Sequence, residues 1–139
     1  MSASVRTKHT ITIQAAESMI RAAREAADGM GKAMAIAVTD EAGTLVAFAR
    51  MDGAPLLAVE LAQDKAYTAI SFGIPSHAWH DFIKDDAPLN TGIPTVRRLV
   101  VFGGGYPIMV DGEMVGGIGV SGGHYTDDMK VAEAGLAAL

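Results

Sequence analysis

The stretch Tyr106-Pro-Ile-Met-Val-Asp-Gly-Glu-Met-Val-Gly-Gly-Ile-Gly-Val-Ser121 decides the fold. Two runs of strand-forming residues, 106–110 and 113–121, flank the dipeptide Asp111-Gly112. This dipeptide between such runs is the strongest short signal for a β-hairpin. Because strands joined by tight turns pair antiparallel, the stretch predicts an antiparallel sheet.

Small residues line one face of two predicted strands. The strand 113–121 contains Gly116, Gly117 and Gly119, and glycine inside a strand usually marks the close approach of another backbone or of a ligand. In the segment 33–38, alanines at 33, 35 and 37 alternate with the larger Met, Ile and Val at 34, 36 and 38. These small faces predict a surface onto which a helix, a neighbouring subunit or a planar ligand packs.

The rest of the chain supplies helices and three further strands. Helical periodicity runs from Thr12, a possible N-cap, to about Asp28, and a second helix runs from Pro55 to about Ser71. Strands are predicted at 33–38, 44–51 and 98–102. A short helix capped by Ser76 is expected after the second helix, and residues 85–96 are expected to form a loop. A helix that begins at Thr126 is the last predicted element. The order is α-β-β-α-α-β-β-β-α, which predicts an α+β fold with a five-stranded antiparallel sheet and the helices gathered on a face. No linker or repeat divides residues 1–139, so one domain is expected.

Composition excludes several classes of function. The net charge of −5 and the 6% of aromatic residues argue against nucleic-acid binding, and the absence of cysteine excludes disulfides, thiolate metal sites and cysteine nucleophiles. No apolar run reaches the ~18–20 residues of a membrane span and no secretory signal begins the chain, so a cytoplasmic protein without membrane contact is expected. Only 19% of the residues are charged while 50% are hydrophobic, a balance that predicts a homo-oligomer.

Five ordered segments resemble one known family. They are Ala37-Val-Thr-Asp-Glu-Ala-Gly-Thr-Leu-Val46, Arg50-Met-Asp-Gly-Ala54, Lys65-Ala-Tyr-Thr-Ala69, Gly104-Gly-Tyr-Pro-Ile108 and Asp111-Gly-Glu-Met-Val-Gly-Gly-Ile-Gly-Val-Ser-Gly-Gly123. Together they are similar to the GlcG/HbpS family, which also occurs as the C-terminal domain of PduO-type corrinoid adenosyltransferases.

This resemblance implies a profilin-like fold and a homo-oligomer. It also implies haem binding or haem degradation, with haem as the possible cofactor. Relatives sit beside genes for glycolate use and aromatic-compound breakdown, which implies an accessory protein of a catabolic operon.

Charged residues predict a ligand-binding cluster. Lys65 shares a helical stripe with alanines and points at the sheet, while Arg50 and Asp52 lie just before that helix. Arg50 could hold a ligand carboxylate with Lys65 as a second cation or an acid. The alternative is a structural ion pair that locks the turn after Asp52 to the helix.

Two glycine-rich turns are further candidates for ligand binding. Gly104 and Gly105 precede one strand, and Ser121, Gly122 and Gly123 lead to a helix N-terminus, where free N–H groups can receive a carboxylate, propionate or phosphate. The alternative is that both segments are only tight turns.

Three histidines are candidates for haem-iron ligation. His77 and His80 stand at i and i+3, so a helix places both on one side, and His124 follows the Ser121–Gly123 turn. None of the three falls on a motif of the family, and exposed polar histidines are the alternative. His124 and Asp127, like Lys65, are also candidates for moving a proton.

Three hypotheses for function follow from these residues. The first is an oligomeric haem-binding or haem-degrading-type protein whose planar ligand lies against the small faces. The second is an accessory enzyme of the isomerase or tautomerase type, or a binder, acting on a small carboxylated metabolite. The third is a structural or partner-binding subunit, and the sequence leaves open whether the protein is an enzyme.

Overall fold

A computed structural model of the chain describes residues 3–139. The helices are α1 (Ile13–Gly29), α2 (Leu56–Phe72), α3 (Ala78–Ile83), α4 (Ala87–Gly92) and α5 (Tyr125–Leu136), and the strands are β1 (Ala35–Asp40), β2 (Leu45–Arg50), β3 (Gly105–Val110) and β4 (Glu113–Ser121). A 3-10 turn at Ile93–Thr95 follows α4. Within residues 3–139 no helix is long and apolar enough to cross a membrane.

The four strands form one antiparallel sheet in the order β2-β1-β4-β3. The α+β class and the two hairpins are therefore confirmed, whereas the prediction of five strands is wrong. At the start of the inner strand β1, Ala35 pairs with Arg50 of β2 on one side and with Ser121 of β4 on the other.

Residues 98–102, predicted as a strand, form an irregular strap that contacts α2. Arg98 has a φ of +66°, which a regular strand excludes. The hydroxyl of Thr68 on α2 donates to the carbonyl of Arg98 at 2.8 Å and accepts from the N–H of Val100 at 2.9 Å. The backbone polar groups of the strap are thus satisfied by a helix side chain instead of by a ladder of strand hydrogen bonds.

Two local predictions near α3 are also wrong. Within the predicted loop 85–96, Asp86 caps α4 by accepting from the N–H of Leu89 at 3.2 Å, and a proline stands in the first turn. Ser76 does not cap α3, because its hydroxyl accepts instead from the N–H of Gly105 at 2.9 Å. Ser76 therefore stabilises the start of β3.

Helices cover both faces of the sheet, so the prediction that they gather on a face is wrong. Helices α1 and α5 pack on one face, and α2 packs on the other, over β1, β4 and β3. The predicted alternation in β1 is confirmed, because Ile36 and Val38 join the core under α1 and α5 while Ala35 and Ala37 pack against α2. The predicted N-cap Thr12 is confirmed as well, since it accepts from the N–H of Ala15 at 3.1 Å.

Helix α2 fills the small-residue face. A Cβ placed on Gly119 would lie 2.6 Å from the backbone nitrogen of Ala66, and one on Gly117 would lie 2.8 Å from the carbonyl oxygen of the same residue. Both distances are too short for real atoms, so the glycines let the helix backbone approach the sheet. Of the three predicted occupants of this face, the helix is the one that occupies it.

Candidate functional site

The predicted ligand-binding residues gather at one end of the sheet, where β2 and β4 end and β1 and β3 begin. Arg50 and Ser121 lie at this end on either side of Ala35, and Gly105 begins β3 beside them. We call it the glycine end, after the turns 103–105 and 121–123. Two separate cavities open there.

A buried ion pair lies inside the glycine end. Lys65 has no exposed surface, as its alanine stripe predicted, and its Nζ donates to Oδ2 of Asp128 at 2.8 Å and to the carbonyl of Val120 at 2.9 Å. The other carboxylate oxygen of Asp128 accepts from the N–H of Gly123 at 3.0 Å. Lys65 therefore ties α2, on one face of the sheet, to α5, on the other.

Burial governs the protonation of this pair. Loss of hydration lowers the pKa of Lys65 and raises the pKa of Asp128, and in each case the partner's charge opposes the shift. Each group is held in its charged form chiefly by the other. Removal of either one leaves its partner buried without a counter-charge.

Gly104 and Phe102 enclose the Lys65 ammonium. Gly104 has a φ of +127°, and a Cβ there would lie 2.8 Å from Nζ of Lys65. The ring of Phe102 lies over Nζ with its centroid at 5.2 Å, a cation–π distance. Gly104 thus makes room for a side chain, and nothing in this contact requires a ligand.

The predicted cluster of Arg50, Asp52 and Lys65 does not form. Arg50 and Asp52 line an open cavity of about 470 Å³ that Lys65 does not reach, and Arg50 makes one long hydrogen bond, 3.5 Å, to the carbonyl of Ala54. The predicted ion pair to the turn after Asp52 does not form either, because the partner of Lys65 is Asp128. Sequence reasoning missed Asp128, although its signal is present in the pair of acids, Asp127 and Asp128, at the start of the last helix.

A second cavity, of about 430 Å³, contains imidazole and aromatic groups. We call it the histidine cavity. Its lining comprises His77, His80, Asp81, Val101, Phe102, Gly103 and Tyr125. The predicted placement of His77 and His80 on one side of a short helical segment is therefore confirmed.

Aromatic contacts hold the walls of the histidine cavity. The ring of Tyr106 makes an edge contact with the ring of His77, with centroids 5.6 Å apart and planes inclined at 60°, and its hydroxyl donates to Glu133 at 2.6 Å. Burial raises the pKa of Tyr106, so its phenol keeps its proton and donates it in a hydrogen bond to the carboxylate of Glu133. Tyr106 therefore positions His77.

His124 and Asp127 stand at the entrance to α5, beside the histidine cavity. His124 is the N-cap, with Nδ1 accepting from the N–H of Thr126 at 3.3 Å, and its ring lies 4.2 Å from that of Tyr125. Asp127 follows in the first turn and is half-buried. Across residues 3–139, no three His, Asp or Glu side chains converge as a metal site, so an iron bound here would bring most of its own ligands.

Comparison with known proteins identifies the family. The model of the HbpS-like family, haem degrading protein HbpS-like, matches residues 11–137. The chain belongs to this family. The resemblance to GlcG and HbpS that the five sequence segments indicate is therefore confirmed.

Curated HbpS-like relatives cover most of the chain. Protein GlcG of Escherichia coli K12 is 33% identical over 117 residues, which are 84% of this chain and 85% of that protein. The corrinoid adenosyltransferase PduO of Salmonella typhimurium LT2 is 35% identical over 123 residues. The match covers 87% of this chain and only 36% of PduO, so it concerns one part of that enzyme.

Solved HbpS-like structures share the fold. A double variant of HbpS from Streptomyces reticuli superimposes with a TM-score of 0.88 at 31% identity, covering 100% of this chain and 93% of that one. The complex of PduOC with haem superimposes with a TM-score of 0.87, also at 31% identity, covering 94% and 95% of the two chains. The α+β architecture of this chain is thus that of HbpS-like structures.

Proposed function

We propose that this HbpS-like protein binds haem, or a similar planar metal macrocycle, in the histidine cavity. The observation that carries the proposal is the similar structure of PduOC, which is a complex with haem. The family model, which names a haem degrading protein, supports the same ligand class.

The donor set of the histidine cavity suits such a ligand. His77 and His80 offer imidazole nitrogens, which are good ligands for iron, and Phe102 and Tyr125 offer ring faces for stacking. The volume of about 430 Å³ lies within the ~300–1,000 Å³ of ligand pockets. The iron, when bound, would supply ligand-exchange and redox chemistry.

A bound macrocycle would lie in the open histidine cavity and not between the sheet and α2. The small faces of β1 and β4 are filled by α2, so a macrocycle cannot lie between the sheet and that helix. The Ser121–Gly123 turn directs the N–H of Gly123 to Asp128. The predicted docking of ligand carboxylates at that N–H would therefore compete with the Lys65–Asp128 pair.

Titration with hemin tests this proposal. We expect a shifted Soret band with the natural chain and binding weaker by at least about tenfold in the His77→Ala/His80→Ala double variant, because an iron–imidazole bond contributes more than the ~1.4 kcal/mol of a tenfold change. His9→Ala is the matched control, since His9 pairs with Glu113 at 2.7 Å on another surface. No Soret shift, or a shift that also survives the addition of His124→Ala, would contradict a histidine-ligated haem.

A second candidate function is the binding of a small carboxylated metabolite in the cavity of Arg50. Arg24, Lys32 and Arg50 line it, and within residues 3–139 none of the three has a carboxylate within salt-bridge distance. Guanidinium groups bind carboxylates through two parallel hydrogen bonds. His124 and Asp127, the predicted proton-moving groups, lie outside its lining, so the geometry favours a binder over an isomerase or tautomerase.

A thermal-shift series with succinate, oxalate and benzoate tests this second candidate. Saturation at about 100 times the dissociation constant adds ~2.7 kcal/mol of stability, enough for a clear rise in melting temperature. We expect Arg50→Gln to abolish the rise and Arg21→Gln, on the outer surface of α1, to preserve it. A rise that Arg50→Gln leaves unchanged would exclude this cavity.

We propose further that the protein is a homo-oligomer. Its accessible surface of 7596 Å² exceeds the roughly 6,800 Å² that a monomer of its mass exposes. Cytoplasmic location and the role of accessory protein in a catabolic operon stay predictions from the sequence.

A further inference from the structure

The histidine cavity itself provides no cation for the acidic groups of its proposed ligand. Haem carries two propionate carboxylates besides its iron and its planar macrocycle. Among residues 3–139 no lysine or arginine lines this cavity, and the carboxylate of Asp81, which does line it, would repel a propionate. Lys65 and the N–H of Gly123, both predicted to receive ligand carboxylates, are already bound to Asp128. Cations for the propionates therefore have to come from a neighbouring surface.

A cavity of about 440 Å³ adjoins the histidine cavity. Val101 and Phe102 line both cavities, so the two are separated only by the end of the strap. Four residues of chain lead from Phe102 back to Arg98, a span of at most ~14 Å that a propionate chain and an arginine side chain shorten from both ends. We call this space the strap cavity. Its lining comprises Leu61, Asp64 and residues 94–102.

The strap cavity is positively charged although the chain as a whole is acidic. Two guanidinium groups, of Arg97 and Arg98, and one carboxylate, of Asp64, line it, whereas the net charge of the chain is −5. Arg97 is exposed and, among residues 3–139, lies within salt-bridge distance of no carboxylate. One positive charge in this cavity is thus left without a counter-charge from the protein.

The guanidinium group of Arg98 is held in place before any ligand arrives. Its Nε donates to Oδ1 of Asp64 at 2.9 Å, and its central carbon lies 4.0 Å from the centroid of the Tyr67 ring. The left-handed φ of +66° at Arg98 is unfavourable for a residue other than glycine, and the hydrogen bond from Thr68 to its carbonyl stabilises it. Asp64 engages only Nε, so the N–H groups of the two terminal nitrogens are left to bind a carboxylate.

We infer that Arg97 and Arg98 bind the propionates of a macrocycle that lies in the histidine cavity. The inference rests on the haem site proposed above and adds the class of ligand that this site selects, namely a porphyrin with free carboxylates. The macrocycle lies against Phe102, and its acidic edge extends along the strap toward Arg98. Charge-assisted hydrogen bonds from the two arginines then fix its orientation.

Titration of the full chain with hemin and with hemin dimethyl ester tests this inference. The ester has the same iron and the same macrocycle but lacks the two negative charges. We expect the natural chain to bind hemin at least about tenfold more tightly than the ester, because hydrogen bonds between charged groups are stronger than those between neutral groups. The Soret shift, followed in the same dilute detergent for both compounds, measures the two affinities.

Variants of the two arginines locate the preference for hemin. Arg97→Gln should reduce the preference at least about threefold, since Arg97 is exposed and its contribution is screened by water. Arg97→Gln/Arg98→Gln should reduce it to nearly one, and circular dichroism verifies that the variants fold. Arg21→Gln is the matched control, because it removes one positive charge from the exposed surface of α1 and should leave the preference unchanged.

Three outcomes would overturn the inference while leaving the haem site in place. The first is equal binding of hemin and its ester to the natural chain. The second is a preference for hemin that the double arginine variant retains in full. The third is a preference that Arg50→Gln abolishes, which would assign the carboxylates to the cavity of Arg50. If neither compound shifted the Soret band, the haem site and the role of the two arginines would both be wrong.

Discussion

Replacing Lys65 by Met lowers the free energy of unfolding by about 3–5 kcal/mol, because Asp128 is left buried without its counter-charge. The pair is held at 2.8 Å with side chains that are 1% and 2% exposed, so water cannot replace the lost ammonium. In a chain of this size the loss lowers the melting temperature by on the order of 10–20 °C. Thermal and urea unfolding followed by circular dichroism measure both quantities.

A second substitution and a control separate charge from packing. Lys65→Met/Asp128→Asn should recover at least half of the lost stability, since the amide oxygen can still accept from Gly123 and no charge is buried. Lys84→Met removes the exposed pair to Asp81, at 3.4 Å, and should change stability by less than about 0.5 kcal/mol. If the single and the double variant lost equal amounts of stability, the unpaired charge of Asp128 would not be the cause of the loss at Lys65.

Gly119→Ala is expected to be the other strongly damaging change, at about 3 kcal/mol or more. Its Cβ would meet the backbone of α2 at Ala62 and Ala66, and a backbone cannot move aside by changing a rotamer. The helix would have to shift as a whole, which also strains Lys65. Urea unfolding at constant temperature is the measurement.

Gly29→Ala is the matched control for that substitution. A Cβ on Gly29 meets nothing within 4 Å, and the residue lies in α1, where alanine is the better helix former. It should be neutral or stabilising. Similar losses at positions 29 and 119 would mean that close packing of α2 does not explain the strand glycines.

The parts of the fold that the sequence predicts well are those fixed by neighbouring residues. The hairpin around Asp111-Gly112 is confirmed because its turn type and its alternation act over a few residues. The inward direction of Lys65 is confirmed because it depends only on the helical stripe of alanines. The glycines at 117 and 119 indicated a close approach but could not say that a helix makes it.

The predictions that are wrong concern contacts between segments that are distant in the sequence. The strap 98–102 has strand-forming residues, yet it does not pair with β3. The N–H of Ser76 donates to the carbonyl of Gly105 at 2.9 Å and so occupies the start of that strand. The strap is bound by Thr68 of α2. Likewise Asp128 lies 63 residues from Lys65, and their pairing depends on how a side chain passes the end of the sheet. Local patterns carry no information on either contact.

The placement of haem is the central claim, and iron in a crystal soaked with hemin tests it most directly. Anomalous diffraction at the iron edge locates the metal without reference to any assumed ligand. We predict one peak within bonding distance of His77 or His80, with the macrocycle against Phe102 and Tyr125. A peak at the cavity of Arg50 or at any other surface would contradict the account.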